Sequence, residues 1–117
     1  MEYHLVTCIV ERGRAERIAD EAIRAGAQGA TIYQAQGKGV RERLAALGRL
    51  IDPEKEVILI VTKKGQTRSV SDTVVKAARL HEPGKGFAFI QPVQQAVGFV
   101  DGKSVSGGVK SPQKKSR

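Results

Sequence analysis

The predicted order of secondary structure elements is repeated in the two halves of the chain. Each half contains an apolar strand, a charged turn with a glycine, an amphipathic helix, a glycine turn and a second strand. A duplicated β-α-β unit of this kind gives the β-α-β-β-α-β order of the ferredoxin-like α+β fold, with an antiparallel sheet and both helices on one face. The predicted elements are Leu5–Val10, Arg14–Ala25, Ala30–Gln36, Val57–Val61, Gln66–Leu80 and Phe87–Ile90.

The helix limits are predicted from apolar residues at helical spacing and from residues that favour helix ends. Gly26 follows the first helix at the position where a left-handed residue is favoured. Ser69 or Thr67 is expected to cap the N-terminus of the second helix, because short hydroxyl side chains accept hydrogen bonds from free backbone N–H groups there.

With both helices on one side, the other face of the predicted sheet stays uncovered. The strands are apolar along most of their length, so this face would expose more apolar surface than a single chain normally carries. Packing against copies of the same chain would bury it. The sequence therefore predicts a homo-oligomer.

Length and cysteine content limit the domain count and the compartment. A chain of 117 residues with one cysteine forms one domain and has no internal disulfide. No segment approaches the ~20 apolar residues that a transmembrane helix requires. These features predict a cytoplasmic protein in which Cys8 is a small core residue.

The net charge of +8 is divided between the predicted domain and a tail. Residues 1–100 are assigned to the folded domain, and residues 101–117 to a basic tail rich in Gly, Ser and Lys that is disordered or loosely docked. The tail holds five basic residues and one acidic residue, which gives +4. It is either a solvated tail or a segment that contacts lipid, RNA or an acidic protein.

Two turns share the sequence Gly-Lys-Gly. Gly37-Lys38-Gly39 follows the second predicted strand, and Gly84-Lys85-Gly86 precedes the last one. Glycine lets the backbone approach a ligand closely, and the lysine adds a cation to a cluster of backbone N–H groups, so this pattern favours binding of a small anion. The alternative is that the glycines only form turns, with both lysines in water.

Residues 40–54 show no clear periodicity, and we interpret them as a functional loop that orders on binding. Catalysis is not expected, because Ser, Asp and His residues form no recognisable nucleophilic set. His4 and His81 lack further ligands at a spacing that suits a metal. The sequence predicts a protein that is not an enzyme and has no metal site.

Seven short segments follow one another along the chain: Leu5–Val10, Gly26–Thr31, Gly37–Gly39, Ala77–Arg79, Gly84–Phe89, Pro92-Val93 and Gln95-Ala96. In this order and spacing, they make the sequence resemble the P-II signal-transduction family of trimeric regulators of nitrogen and transport metabolism. The resemblance extends from about Tyr3 to Val100 and indicates a divergent, P-II-like member.

The resemblance implies a homotrimer that binds an adenine nucleotide in clefts between adjacent subunits. One Gly-Lys-Gly turn would lie at the base of the flexible T-loop, residues 38–54, and the other, the B-loop, near the phosphates. Thr31 and Val61 match positions that line the adenine pocket. The expected nucleotide-binding residues are Thr31, Gly37, Lys38, Gly39, Arg41, Val61, Gly84, Lys85, Gly86 and Phe87.

Three cations that contact the polyphosphate in typical family members are replaced in this sequence. Phe87 stands in place of a lysine, and Gly98 and Val100 in place of arginines. Each lost charge-assisted hydrogen bond costs ~1.5–3 kcal/mol, so ADP or AMP is favoured over ATP. The loop has no tyrosine between Gly39 and Glu54, so its nucleotidylation is not expected.

The resemblance thus implies a regulator that controls a target protein, a metabolic enzyme or a membrane transporter, through the T-loop. The expected target contacts are Leu44, Leu47, Arg49 and Leu50. The alternative function is a basic nucleic-acid-binding module. That function needs aromatic side chains on a sheet face for base stacking, and Tyr33 is the only good candidate, so nucleic acid is not the expected partner.

Overall fold

The computed structural model describes residues 2–38 and 53–98 in full, and the backbone of residues 99–100 and 103–106. Its order of elements is β-α-β-β-α-β followed by a short hairpin. The elements are β1 (Tyr3–Glu11), α1 (Ala15–Arg24), β2 (Ala30–Gln36), β3 (Glu54–Lys63), α2 (Thr67–Ala78), β4 (Gly86–Val93), β5 (Val97–Val100) and β6 (Lys103–Ser106).

The main sheet has the strand order β2-β3-β1-β4, and all of its pairs are antiparallel. β1 lies between β3 and β4, so Cys8 has Ile58 on one side and Ala88 on the other. The ferredoxin-like α+β fold predicted from the sequence is confirmed.

The core lies between one face of this sheet and the two helices. Alternate residues of β1 and β3 point to it because successive side chains of a strand face opposite sides. Burial raises the pKa of the Cys8 thiol to about 11, so this cysteine is an inert core residue, as predicted. The largest fully buried apolar side chains besides Cys8 are Val6, Val10, Ile18, Ile58, Ile60, Val70 and Val74.

The opposite face of the sheet carries exposed aromatic side chains. Tyr33 on β2 is 48% exposed, and on β4 Phe87 is 57% and Phe89 42% exposed. The rings of Phe87 and Phe89 stack at 6.0 Å between centroids. Tyr33 is therefore not the only aromatic candidate on this face, because two positions of β4 separated by one residue also point there. We call this surface the uncovered face.

The N-terminus of α2 differs from the prediction. Gln66 occupies the capping position without a side-chain hydrogen bond, so neither Ser69 nor Thr67 is the cap. A 3-10 turn, Lys64–Gln66, leads into the helix and buries the Thr67 hydroxyl, which lies 2.7 Å from the Thr62 hydroxyl. The Ser69 hydroxyl instead donates to the carbonyl oxygen of Ala25 at the end of α1.

The final hairpin pairs Val97–Val100 with Lys103–Ser106. β6 lies among residues 101–117, which were predicted to form a disordered or loosely docked tail, and it pairs with β5. Residues 107–117 lie outside the described residues, as do residues 39–52 of the expected T-loop 38–54. The expected target contacts Leu44, Leu47, Arg49 and Leu50 lie in that part of the chain. Within the described residues, no helix has the length and apolar character needed to span a membrane.

The first turn of α1 is held by a side chain from β3. Arg14, which precedes the helix, provides no side-chain cap, and the Ala15 N–H donates to the Glu56 carboxylate at 2.9 Å. The amide of Gln34 donates to the other oxygen of Glu56 at 3.2 Å. The pKa of Glu56 lies below its usual range. The main cause is the hydrogen bond from the Ala15 N–H, which favours the charged carboxylate, and the hydrogen bond from Gln34 acts in the same direction.

Replacing Glu56 by glutamine keeps an acceptor oxygen and removes its charge. We expect the free energy of unfolding at neutral pH to fall by about 1 kcal/mol. Because the pKa is lowered in the folded state, the contribution of the charge is complete above about pH 4.3, the pKa of glutamate in an unfolded chain, and is lost as the pH falls through the lowered value. Urea unfolding of both proteins between neutral pH and about pH 3, at one protein concentration, measures the difference.

The matched control is Glu16→Gln, which removes an exposed acid from the same helical turn. We expect it to cost only about 0.3 kcal/mol. If the difference in the free energy of unfolding between Glu56→Gln and the unmodified chain stayed constant over the whole pH range, the charge of Glu56 would not be what holds the start of the helix.

Candidate ligand-binding site

The register of the sheet brings the two glycine turns to the same edge. Val10 pairs with Gly86 on one side and with Glu56 on the other, and Glu56 pairs with Gln34. Gly86 at the start of β4 and Gln34 near the end of β2 therefore lie in one row of paired residues across the sheet. The first turn begins at Gly37, directly after β2, and the second ends at Gly86.

A cavity of about 390 Å³ opens between these turns. This volume is within the usual range for small-molecule sites. Its lining combines backbone of both turns with apolar side chains from four strands. The lining residues are Ile9, Val10, Glu11, Ala35, Gln36, Gly37, Lys38, Lys55, Val57, Gly84, Lys85, Gly86 and Phe87.

The charged residues of the lining favour an anion. Lys38, Lys55 and Lys85 contribute three cations, against one carboxylate from Glu11. Apolar residues such as Ile9 and Val57 complete the wall. A ligand with an apolar body and one or more negative groups matches this combination, because ion pairs strengthen where apolar walls reduce contact with water.

The second glycine turn is pressed against β1. Gly86 has a φ of 132°, a conformation that L side chains rarely adopt, and a Cβ placed on it would overlap the carbonyl oxygen of Ile9. Glycine at this position is therefore required by the packing of the turn. The requirement follows from structure and does not depend on a ligand.

The base of the first turn is closed by a backbone hydrogen bond. The Gly37 N–H donates to the carbonyl oxygen of Pro53 at 2.8 Å, so the two ends of the segment 38–52 are held together. The Lys55 side chain lies against Gly37, since a Cβ added there would be 2.9 Å from its Cε atom. Lys55 thus contributes to the floor of the cavity as well as to its charge.

Six residues expected from the sequence line this cavity: Gly37, Lys38, Gly84, Lys85, Gly86 and Phe87. These six residues belong to one chain. The row of pairs through Val10 and Glu56 brings both turns to the same sheet edge.

Thr31 and Val61, the expected adenine-pocket residues, do not line the cavity. Both lie on the uncovered face, where Thr31 pairs with Leu59 and Val61 with Leu5. Thr31 is exposed and Val61 is half-buried. Gly39 and Arg41 lie outside the described residues.

Lys55, Glu11 and Arg14 were not selected from the sequence. Lys55 directly follows Pro53 and Glu54, so a longer β3 would have placed it beside the end of β2. Arg14 gives no such signal: its guanidinium donates to the carbonyl oxygens of Ala78 and Lys85, and only the tertiary structure brings these groups together.

Comparison with known proteins identifies the family. The model of the family described as nitrogen regulatory protein P-II matches residues 3–103 of this chain. The chain belongs to the P-II family. Proteins of this family are signal-transduction regulators and not enzymes; they bind small-molecule effectors, and they are trimers that interact with target proteins.

Two relatives support the membership. The nitrogen regulatory protein P-II homolog of Arabidopsis thaliana is 29% identical over 104 residues, which are 82% of this chain and 52% of that protein. The chain thus spans about half the length of this curated relative. The crystal structure of Arabidopsis thaliana PII bound to citrate matches with a TM-score of 0.66 and 26% identity, over 88% of each chain. Among the described residues of our P-II family member, no group of His, Cys, Asp and Glu could hold a metal ion.

The close approach of Gly86 to β1 predicts a large effect of Gly86→Ala. Backbone strain from the positive φ costs of order 1–3 kcal/mol, and the overlap with Ile9 adds to it. The control is Gly13→Ala, because Gly13 also has a positive φ of 90° but has no atom within 4 Å of the added Cβ. Urea unfolding should show a greater loss in the free energy of unfolding for Gly86→Ala than for Gly13→Ala. Equal losses would show that the turn is not pressed against β1.

Proposed function

We propose that this chain is a non-enzymatic signal-transduction regulator that binds an adenine nucleotide at the cavity between its two glycine turns. Binding would change the loop 38–54, and the loop would control a target protein. The observation that carries the proposal is the meeting of Gly37-Lys38 and Gly84-Lys85-Gly86 in one cavity with a third lysine, Lys55.

A small anion is the class of ligand that this lining supports best. Backbone groups at glycine turns can surround phosphate oxygens, and lysines add positive charge without any chemistry on the ligand. The relative from Arabidopsis thaliana was crystallised with citrate, which is also a small anion. The apolar residues Ile9, Ala35 and Val57 supply a surface on which a base or sugar can pack.

ADP or AMP is proposed over ATP because Phe87 and Gly98 occupy positions at which typical family members carry cations. Phe87 lines the cavity where typical family members have a lysine. Gly98 lies in β5 with a φ of 144°, so an arginine at that position would be strained. Because there are fewer cations beside Phe87, each additional phosphate contributes less to the free energy of binding.

The uncovered face supports assembly into a homotrimer. Tyr33, Phe87 and Phe89 are exposed there, and a second copy would remove these rings from water. Thr31 and Val61 lie on the same face, so in an assembly they would be available to a ligand at a subunit boundary. This supports a second contribution to the nucleotide site from a neighbouring subunit.

The target is proposed to be a metabolic enzyme or a membrane transporter, contacted through the loop that starts at Lys38. The hydrogen bond from Gly37 to Pro53 places the base of this loop beside the cavity. A ligand that binds the two loop states differently would shift the equilibrium between them, and the target would respond. The free, buried Cys8 supports a location in the reducing cytoplasm.

A nucleic-acid-binding module is the second candidate, since the uncovered face carries three exposed aromatic residues and the net charge is +8. It requires that face to be free, whereas the trimer would cover it. The molar mass in solution therefore separates the two functions. A monomer that binds RNA in a salt-dependent way after removal of residues 107–117 would favour the second candidate.

Calorimetric titration with AMP, ADP and ATP tests the regulator. We expect binding of AMP or ADP to the unmodified chain, and an affinity lower by tenfold or more in Lys85→Ala, because a charge-assisted hydrogen bond contributes ~1.5–3 kcal/mol. The control is Lys64→Ala, which removes an exposed lysine that does not line the cavity. We expect this variant to bind like the unmodified chain.

Light scattering on the same samples should give the mass of a trimer. A monomeric protein that binds none of the three nucleotides would contradict the proposal. Equal losses in Lys85→Ala and Lys64→Ala would contradict the assignment of the site, since they would indicate a general effect of charge.

Replacing Phe87 by lysine restores the cation that typical family members carry. We expect the affinity for ATP to rise relative to that for AMP by about tenfold, because the added ammonium group lies at the phosphate end of the proposed site. The ratio of the two dissociation constants is the measured quantity, so a general change in stability cancels. Phe89→Lys is the matched control on the same strand face and should leave the ratio unchanged. An unchanged ratio in Phe87→Lys would place the phosphates elsewhere.

A further inference from the structure

The segment between α2 and β4 carries the second glycine turn. It begins at Arg79, a non-glycine residue with a left-handed φ of 58°. The Arg79 guanidinium forms two hydrogen bonds with the Glu82 carboxylate, at 2.9 and 3.0 Å. Both residues are in the segment and exposed, so this pair organises the segment locally and is screened by solvent.

Arg14 connects this segment to a different element. Its Nη2 atom donates to the carbonyl oxygen of Ala78, the last residue of α2, at 2.9 Å. Its Nη1 atom donates to the carbonyl oxygen of Lys85 at 3.2 Å. One guanidinium therefore holds both ends of the segment, and its planar geometry fixes the distance between the two acceptors.

The hydrogen bond from Arg14 to the Lys85 carbonyl constrains the peptide group at the centre of the turn. The peptide between Lys85 and Gly86 is planar, so fixing its carbonyl oxygen also fixes the direction of the Gly86 N–H. Both residues line the cavity. The positive guanidinium also offsets the partial negative charge of that carbonyl oxygen, which favours binding of an anion nearby.

The backbone of Arg14 is itself fixed by the sheet. Its N–H donates to the carbonyl oxygen of Glu11 at 3.3 Å, and the next N–H, that of Ala15, donates to Glu56. Glu56 follows Lys55, which lies against Gly37 at the first glycine turn. The connection from the first turn to the second thus runs through β3, the start of α1 and the Arg14 side chain.

We infer that Arg14 is a positioning residue for the ligand site: it holds the turn Gly84-Lys85-Gly86 in the conformation that lines the cavity, without lining the cavity itself. Its effect on ligand affinity rests on the proposed function, whereas its effect on the turn does not. The inference predicts that loss of the guanidinium loosens the segment locally while the sheet stays intact.

Amide hydrogen exchange in the absence of ligand tests the structural part, on the full chain. The informative amides are Glu82, bonded to the Arg79 carbonyl, and Lys85, bonded to the Glu82 carbonyl. In Arg14→Ala we expect both to exchange about tenfold faster, with Cys8 and Ile58 in the central strands unchanged. Arg14→Lys should give a smaller increase, because one ammonium group cannot reproduce the two-acceptor geometry.

The matched control is Arg24→Ala, which removes an exposed arginine at the C-terminal end of α1, the helix that Arg14 precedes. It should leave the exchange of Glu82 and Lys85 unchanged. If Arg14→Ala does not fold, Glu56→Gln provides the second variant: it loosens the start of α1 and should accelerate the same two amides by a smaller factor. Unchanged exchange of both amides in Arg14→Lys and Glu56→Gln would overturn the inference.

Titration of AMP and ADP into the same variants tests the effect on the ligand. We expect Arg14→Ala to bind about tenfold more weakly and Arg24→Ala to bind like the unmodified chain. Faster exchange with unchanged affinity would show that Arg14 holds the turn but does not position it for a ligand, which overturns the inference. If the unmodified chain bound no nucleotide, the proposed function would fail, and the exchange data would still decide what Arg14 does to the turn.

Discussion

The structure depends on the pairing of β1 with two antiparallel neighbours. This central strand fixes the position of β4 so closely that Gly86 has no room for a side chain beside the Ile9 carbonyl. On its other side, β1 fixes β3, which in turn carries β2. Two turns that are far apart along the chain are thereby brought to one edge of the sheet, and the candidate site exists only because of this register.

Two surfaces result, and they overlap at Phe87 and at Ile9 and Val57, its neighbours in the same row of the sheet. The cavity combines glycine backbone with lysines, which suits a small anion, and the uncovered face presents aromatic rings, which suits another apolar surface. Phe87 lines the cavity and also stacks on Phe89 of the uncovered face. Substitution of Phe87 therefore affects ligand binding and subunit packing together, and affinities of such variants have to be compared at equal oligomeric state.

The elements were predictable from sequence because their signals are local. β2 matched residue for residue, and Gly26 follows α1 with the expected positive φ of 122°. The strands that were predicted too short, such as β3, extend into polar residues that a neighbouring strand pairs, which an apolar pattern does not reveal. The expected caps of α2 failed because a 3-10 turn directs the Thr67 hydroxyl into a buried contact with Thr62.

The glycine turns were recognised from their composition. The sequence could not show that they meet in one chain, nor that Arg14 reaches the Lys85 carbonyl, because both facts depend on strand register.

The central claim is that one ligand contacts both glycine turns. The most direct measurement is the change in backbone amide NMR signals during titration of the isotope-labelled protein with AMP or ADP. The account predicts that the signals of Gly37 and of Lys85 and Gly86 shift together, with the same dissociation constant, while signals of the helix surface such as Arg24 do not move. Shifts at one turn only, or with different constants at the two turns, would contradict it.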